Sequence, residues 1–316
     1  MEKEADKNRE EKSIRMKKSK LKNNKIINTT YNSIMKTAFQ ISPRTATKVF
    51  FRVSMGYPLS LDNPKTFNEK INWLKFNDDL ELKTKCADKI EVRNYVESKG
   101  LKNILNDIYY TYDDPQDINF EKLPNSFVLK TNHSCGTNII VNDKNNINKE
   151  EILVKLEKWL KTKYGTYPYE PQYLNIKPRI LCEKNLCDNY GEVPEDYKFY
   201  CSKGKVLMFS IIHRPPKPQL PHIYHFNENK EFLETNNKNY KELPKIPNNI
   251  DDMLEVARKL SEDFNFVRVD LYDFNDKDII FGELTFSPTG GIYNYISKEL
   301  DLYLGNQLQI RKQSSI

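Results

Sequence analysis

The sequence predicts an α+β fold, with two α/β lobes preceded by an α-rich N-terminal region and sharing one cleft. Three observations carry this. Apolar residues recur at helical spacing from Tyr31 to about Lys99. Beyond Leu123-Pro124, short apolar runs alternate with polar turns, which is the pattern of strands. From Phe266 to Gly291, two β-rich runs flank the polar turn Asn275-Asp276-Lys277 and read as a hairpin. On this basis the 316 residues divide into a basic tail or helix (1–28), an α-rich region (29–120), a small lobe with a phosphate loop (121–185) and a C-terminal lobe (186–316).

The tail holds most of the formal charge of +6: seven Lys or Arg and no acidic residue lie between Lys12 and Lys25. A nucleic-acid protein needs a basic face on its folded body, so a near-neutral remainder argues against that partner. A basic tail of this kind can touch anionic lipid. In the α-rich region, Ser42-Pro43 and Gly56-Tyr57-Pro58 break the helical pattern. Thr66 followed by Glu69 predicts a capping box opening a helix, and a further helix from Ala87 to Ser98 stops at Gly100. In the lobes, strands are expected at Phe127–Thr131, Asn138–Val141 and Arg179–Glu183, with a helix over Lys149–Lys163. Tyr197–Cys201 and Lys205–Ile212 form a hairpin about Ser202-Lys203-Gly204. Arg214 to Pro221 is too proline-rich for a central strand, and a helix over Asp251–Asp263 leads into the late hairpin. No run approaches about 18 apolar residues and no apolar signal core opens the chain, so a soluble, cytoplasmic protein is expected. Five cysteines without paired two-residue gaps fit reduced thiols better than a disulfide scaffold or a zinc site.

The late hairpin carries the chemistry. Strand alternation puts Arg268 and Asp270 on one side of its first strand, and Glu283, Thr285 and Ser287 on one side of its second. A pairing centred on Asp276 or Lys277 brings Asp270 beside Glu283. Facing carboxylates repel unless a cation lies between them, and Mg²⁺ takes one or two carboxylates together with substrate phosphates. Earlier in the chain, Lys130 ends an apolar strand before a loop of small residues, where the backbone of Ser134, Cys135 and Gly136 offers amides to a phosphate. It is not a P-loop, since the lysine precedes the loop. Glu183 and the backbone up to Leu186 can meet an adenine edge. His213, His222 and His225 offer a base or metal cluster, although loop histidines more often serve neither purpose.

In this order, the pieces resemble the ATP-grasp superfamily. Phe67-Asn68-Glu69-Lys70-Ile71, Ala87-Asp88-Lys89, Phe127 to His133, Asp196-Tyr197-Lys198-Phe199-Tyr200 and Gly282-Glu283-Leu284-Thr285-Phe286 look more narrowly like the TupA-like, teichuronopeptide-biosynthesis branch, over about residues 55 to 300. The resemblance implies an ATP-grasp fold whose lobes clasp ATP. It implies that Lys89, Lys130 and Lys198 contact phosphates, that Glu183 and Leu186 hold adenine, and that Arg268 and Lys198 lie at the transferring phosphate. Asp270 and Glu283 would bind Mg²⁺, with Thr285 standing where the family has Asn, a weaker ligand. The implied reaction joins a carboxylate and an amine through an acyl phosphate. The acceptor would be a lipid-linked or polymeric saccharide met in the cytoplasm or at the inner face of the membrane, in capsule, lipopolysaccharide or teichuronopeptide biosynthesis. A nucleotide-sugar-dependent glycosyltransferase, using Asp276-Lys277-Asp278, is the competing enzyme reading, and a non-catalytic binding module is the third.

Overall fold

The computed structural model describes residues 25–187, 195–214, 221–274 and 278–310. They form two compact units: one takes the residues up to Pro58 with Thr166–Tyr169, and the other takes Leu59–Gly165 and Glu170 onward. The basic tail before Lys25, the proline-rich residues 215–220 and the turn 275–277 lie outside the described residues. Among the described residues, no helix is long and apolar enough to cross a membrane.

The first unit is a helical hairpin. Helix α1 (Lys25–Ile41) stops where Pro43 opens α2 (Pro43–Met55), because proline serves the first turn of a helix but cannot continue one. Gly56, at φ +83°, ends α2 by donating its N–H to the Arg52 carbonyl. Met35, Phe39 and Ala46 pack with Phe50, Tyr167 and Tyr169.

The second unit opens with three helices, α3 (Phe67–Asn77), α4 (Leu80–Ala87) and α5 (Val92–Ser98). The expected capping box is present in full at Thr66 and Glu69. The helix expected over Ala87–Ser98 is instead split. The Asp88 carboxylate accepts the N–H groups of Ile90 (2.8 Å) and Glu91 (3.3 Å), which makes a turn at the point where a continuous helix would run.

The strands form two antiparallel sheets. β1 (Ile108–Tyr112), β2 (Phe127–Thr131), β3 (Asn138–Val141) and β4 (Ile180–Glu183) lie in the order β1-β4-β2-β3. α6 (Lys149–Leu160) covers one face of this sheet, setting Ile152 and Leu156 against Phe127, Leu129, Val141 and Ile180. The second sheet is built from β5 (Asp196–Ser202), β6 (Lys205–His213), β7 (His222–Phe226), β8 (Phe232–Thr235), β9 (Val267–Phe274) and β10 (Asp278–Thr285), ordered β10-β9-β5-β6-β7-β8. Its core face, with Phe199, Phe209, Val267, Val269 and Leu271, packs on Met253, Leu254, Ala257 and Leu260 of α7 (Ile250–Ser261). That leaves the opposite faces of both sheets for polar chemistry.

Helix α3 explains its own motif. Asn68 is fully buried, donating to the Tyr293 carbonyl (3.1 Å) and accepting the Tyr293 N–H (2.6 Å). Lys70 reaches the carbonyls of Gly305 and Leu308, at the end of α8 (Lys298–Gln307), and Asn72 donates to the Gly291 carbonyl. The polar residues of Asn68 to Asn72 thus hold the segment that follows β10, and their role is architectural. Asn68→Ala strands two buried backbone groups of Tyr293, so its unfolding free energy should fall by about 2 kcal/mol or more. Thr66→Ala, which loses one cap, should cost about 1 kcal/mol, and urea titration of both variants checks the order.

Candidate active site

Alternation along the strands assembles the site. Asp196 and Lys198 of β5 and Arg268, Asp270 and Tyr272 of β9 point away from the α7 core, and Lys198 pairs with Asp270 in the ladder. β10 needs a correction to join them. From Asp278 to Phe281 it pairs with Phe274 to Leu271 in step. The register then slips by one at Gly282, so that Glu283 stands opposite Asp270 and Thr285 opposite Arg268. Without that bulge Glu283 would share the core face of Phe281 and Leu271. Glycine suits the position because a Cβ there would lie 3.0 Å from the Asp270 carbonyl oxygen and 3.1 Å from the Tyr272 ring.

The cation between the two carboxylates is Arg268. Its Nε and Nη2 donate to both Asp270 oxygens at 2.6 Å, and Nη2 also reaches Thr285 Oγ1 (2.9 Å) and Glu283 Oε1 (3.4 Å). Lys198 Nζ bridges Asp270 (2.6 Å) and Asp196 (2.9 Å), and Arg214 adds a second cation on Asp196 at 2.6 Å. Burial opposes the charge on Glu283, but Lys89, Arg268 and Lys198 together outweigh it and hold its carboxyl below the ordinary range. Burial likewise opposes the charge on Arg268, and Asp270 more than restores it.

The first sheet supplies the other wall. Lys130 forms an ion pair with Glu183 at 2.5 Å, both projecting from the face that α6 leaves open. Between β2 and β3 the small-residue loop is tightly tied: the hydroxyls of Thr131, Ser134 and Thr137 share hydrogen bonds of 2.6 Å. The Asp88-Lys89 pair secures it from outside. Asp88 accepts from Asn132 Nδ2 (2.8 Å), and Lys89 Nζ donates to the Ser134 carbonyl (2.5 Å) while lying 3.8 Å from Glu283.

One cavity of about 380 Å³ joins these parts. Lys89, Lys130, Lys198, Arg268, Asp270 and Glu283 line it, as do Ser134, Cys135 and Gly136 of the loop and Glu183 with Leu186. Val128, Ile140 and Leu181 make its apolar wall. Thr285 does not reach it and is buried behind Arg268 and Glu283. Asp196, Arg214 and Tyr272 line the cavity without having been assigned a role from sequence. The signal for Asp196 was visible, since Asp196-x-Lys198 shares one strand face. His225 pairs with Ser210, three residues from His222 and so on the other face of β7, and burial pushes it down to about 4. Among the described residues, no three His, Cys, Asp or Glu side chains converge to hold a metal.

Two antiparallel sheets with helices on their outer faces and a charged cleft between the inner ones make this an α+β protein of the ATP-grasp fold. The model for TupA-like ATP-grasp proteins matches residues 69–309, and the chain belongs to that family. Among solved structures, it is similar to D-alanine–D-alanine ligase from Bacillus anthracis, at 18% identity over 64% of this chain and 56% of that one, with a TM-score of 0.36. An L-amino acid ligase from Bacillus licheniformis matches at 15% identity over 72% and 51%, with a TM-score of 0.45. D-alanine–D-alanine ligase from Helicobacter pylori matches at 14% over 80% and 69%, with a TM-score of 0.44. The chain thus spans about half the length of the first two. No curated protein matches it.

The ion-pair geometry predicts an asymmetry between the two carboxylates. Asp270 is 2% exposed and bonded to two cations, so Asp270→Asn should lower the stability of the ligand-free protein by about 3–5 kcal/mol. Glu283, with a side chain 29% exposed and longer contacts, should change it by less than about 1 kcal/mol as Glu283→Gln. Urea unfolding of the two variants without nucleotide measures the difference.

Proposed function

We propose that this chain is an ATP-dependent, ADP-forming carboxylate–amine ligase that amidates a uronic-acid or amino-acid carboxylate during assembly of a cell-surface polysaccharide. The observation that carries this is the polarity gradient of the cavity. Val128, Ile140, Leu181 and Leu186 form an apolar bay beside Glu183, which suits a base. Lys130, Lys89, Lys198 and Arg268 extend along the same cavity, which suits a polyphosphate.

Asp270 and Glu283 present oxygen donors to the cavity, whereas the Thr285 hydroxyl is taken up by Arg268 and Glu283, and a hard divalent ion bound with phosphates takes one or two protein carboxylates. The set therefore fits Mg²⁺ held jointly with a nucleotide, and not a metal held by protein alone. Bound there, the ion supplies charge neutralisation at the phosphoryl oxygens. The chain's own part is positional. Lys130 and Lys198 orient the phosphates, and Arg268, fixed by Asp270 and Thr285, presents a guanidinium where negative charge grows as the phosphoryl group moves to the substrate carboxylate. The backbone amides of Ser134 to Gly136 close over the phosphates. The resulting acyl phosphate is captured by an amine.

A thermal-shift titration tests the nucleotide. Mg-ATP at 100 times its Kd should stabilise the protein by about 2.7 kcal/mol, UDP-sugars should give no shift, and Lys130→Met should raise the Kd at least about tenfold. A shift with UDP-sugars alone would replace the ligase reading by a glycosyltransferase one.

The place of work is the anionic inner face of a membrane. Eleven Lys or Arg and no Asp or Glu lie between Lys12 and Leu61, a stretch that runs from the tail through α1 and α2. On the described part, Ile34, Ile41, Val49 and Val53 are exposed beside the equally exposed Lys36, Lys48 and Arg52. Each basic residue near an anionic surface contributes about 1 kcal/mol, and exposed apolar side chains add to that. The protein should sediment with phosphatidylglycerol vesicles and not with phosphatidylcholine vesicles, and 0.5 M salt should release it. Equal sedimentation with both would sink the idea.

A further inference from the structure

The base end of the cavity holds a set of contacts to which the chemistry above gives no part. β4 passes at Glu183 into the connector 184–187, and the first bond beyond the strand continues its ladder with β1: Ile108 pairs with Glu183, and the Lys184 N–H donates to the Asp107 carbonyl at 2.9 Å. A regular antiparallel pair would return the Asp107 N–H to the Lys184 carbonyl. Here a side chain gives that bond instead, Asn106 Nδ2 donating to the Lys184 carbonyl at 2.9 Å. Asn106 is 9% exposed, and its own backbone carbonyl accepts Arg93 Nη1 at 2.8 Å. The following residue is tied separately: Asn185 Nδ2 donates to Ser126 Oγ (2.9 Å) and Asn142 Oδ1 (2.8 Å), and its Oδ1 accepts the Cys187 N–H (3.0 Å). Arg93, Asn106, Lys184 and Asn185 line the cavity together with Leu181 and Leu186 of its apolar bay.

These bonds leave the two backbone polar groups of Lys184 in different states. Its N–H is spent in the ladder. Its carbonyl oxygen has two lone pairs, of which Asn106 takes one. From its backbone, Lys184 can therefore accept one more hydrogen bond from a ligand and can give none, so a base edge that meets it must bring a donor. The 6-amino group of adenine is a donor, whereas the 6-oxo group of hypoxanthine or guanine sets oxygen against oxygen. A site built to hydrogen-bond a polar group rejects the analogue that lacks it, because its own group is left unpaired. Resting on the nucleotide half of the ligase reading, we infer that Asn106, braced by Arg93, is a positioning residue for base selection: by occupying one lone pair of the Lys184 carbonyl and fixing that group in place, it makes the site prefer a 6-aminopurine nucleotide to a 6-oxopurine one.

The test uses the full chain with Mg²⁺ and three nucleotides that differ in the group at position 6 of the base: ATP, inosine triphosphate and N6,N6-dimethyl-ATP. In thermal-shift titrations of the wild-type protein, the two analogues should show Kd values at least about 100-fold above that of ATP, a comparison that needs no variant to fold. Asn106→Asp keeps the shape of the side chain but removes the donor and sets a carboxylate against the Lys184 carbonyl. Asn106→Leu removes the amide altogether. Both should raise the Kd for ATP at least about tenfold and leave that for inosine triphosphate within about threefold, so that the preference collapses from the ATP side alone. Arg93→Met should act in the same direction with a smaller effect. A merely structural role weakens both nucleotides together, so equal losses for ATP and inosine triphosphate overturn the inference. An unchanged ratio in both Asn106 variants overturns it too, as does a wild-type protein that binds ATP and inosine triphosphate alike. A wild-type protein that binds none of the three overturns the nucleotide reading itself.

Discussion

The guanidinium of Arg268 is the constraint on which the site depends. It lies 9% exposed between Asp270 and Glu283, two carboxylates that the β9–β10 ladder holds directly opposite one another. Like charges facing across a ladder destabilise it, and here three hydrogen bonds of 2.6 to 2.9 Å to Asp270 and Thr285 turn that liability into a fixed array. Lysine could not replace this geometry, because only a planar fork engages both Asp270 oxygens while still touching the neighbouring strand. The orientation of Arg268 is therefore set before any ligand arrives, which is the condition for electrostatic preorganisation.

Holding that array in place takes much of the second unit. The bulge at Gly282 rotates the end of β10 so that Glu283 and Thr285 join Arg268, while Phe281 and Leu284 stay in the core. Shortly after β10, past Phe286, Ser287 and Pro288, the chain takes three residues at positive φ, Thr289, Gly290 and Gly291. Helix α3 holds this turn through Asn72 and Lys75, and the next segment through Asn68. Gly290 and Gly291 adopt that region without steric cost, and Thr289, which does not, is held by its hydroxyl donating to the Ile292 carbonyl at 2.7 Å. Helix α3 supplies its contacts from far earlier in the chain, Asn68 from within the Phe-Asn-Glu-Lys-Ile motif and Asn72 and Lys75 from just beyond it.

Much of this was legible in the residues. The period-2 alternation of Val267 to Tyr272 showed which side chains leave the core, and short apolar runs marked β2 and β3 to the residue. The pairing of Asp270 with Glu283 was also readable, but the reason it holds was not. A single-residue bulge leaves no period of its own, and Gly282 reads equally well as an ordinary strand glycine. The partner of the carboxylates was hidden for a similar reason, since alternation says that Arg268 and Asp270 share a face but not that they bond.

The two facing carboxylates differ in how their charges are balanced, and the difference bears on what each can do when a ligand enters. Around Asp270 every carboxylate oxygen already meets a cation from Arg268 or Lys198. A polyphosphate entering beside Lys198 would compete with Asp270 for that lysine, while Arg268 keeps its hold on both Asp270 oxygens, so the guanidinium stays in place as the ligand enters. Glu283 meets its cations only at longer range, Arg268 at 3.4 Å and Lys89 at 3.8 Å, so of the two carboxylates it is the one with room to meet a divalent ion without first giving up a short ion pair.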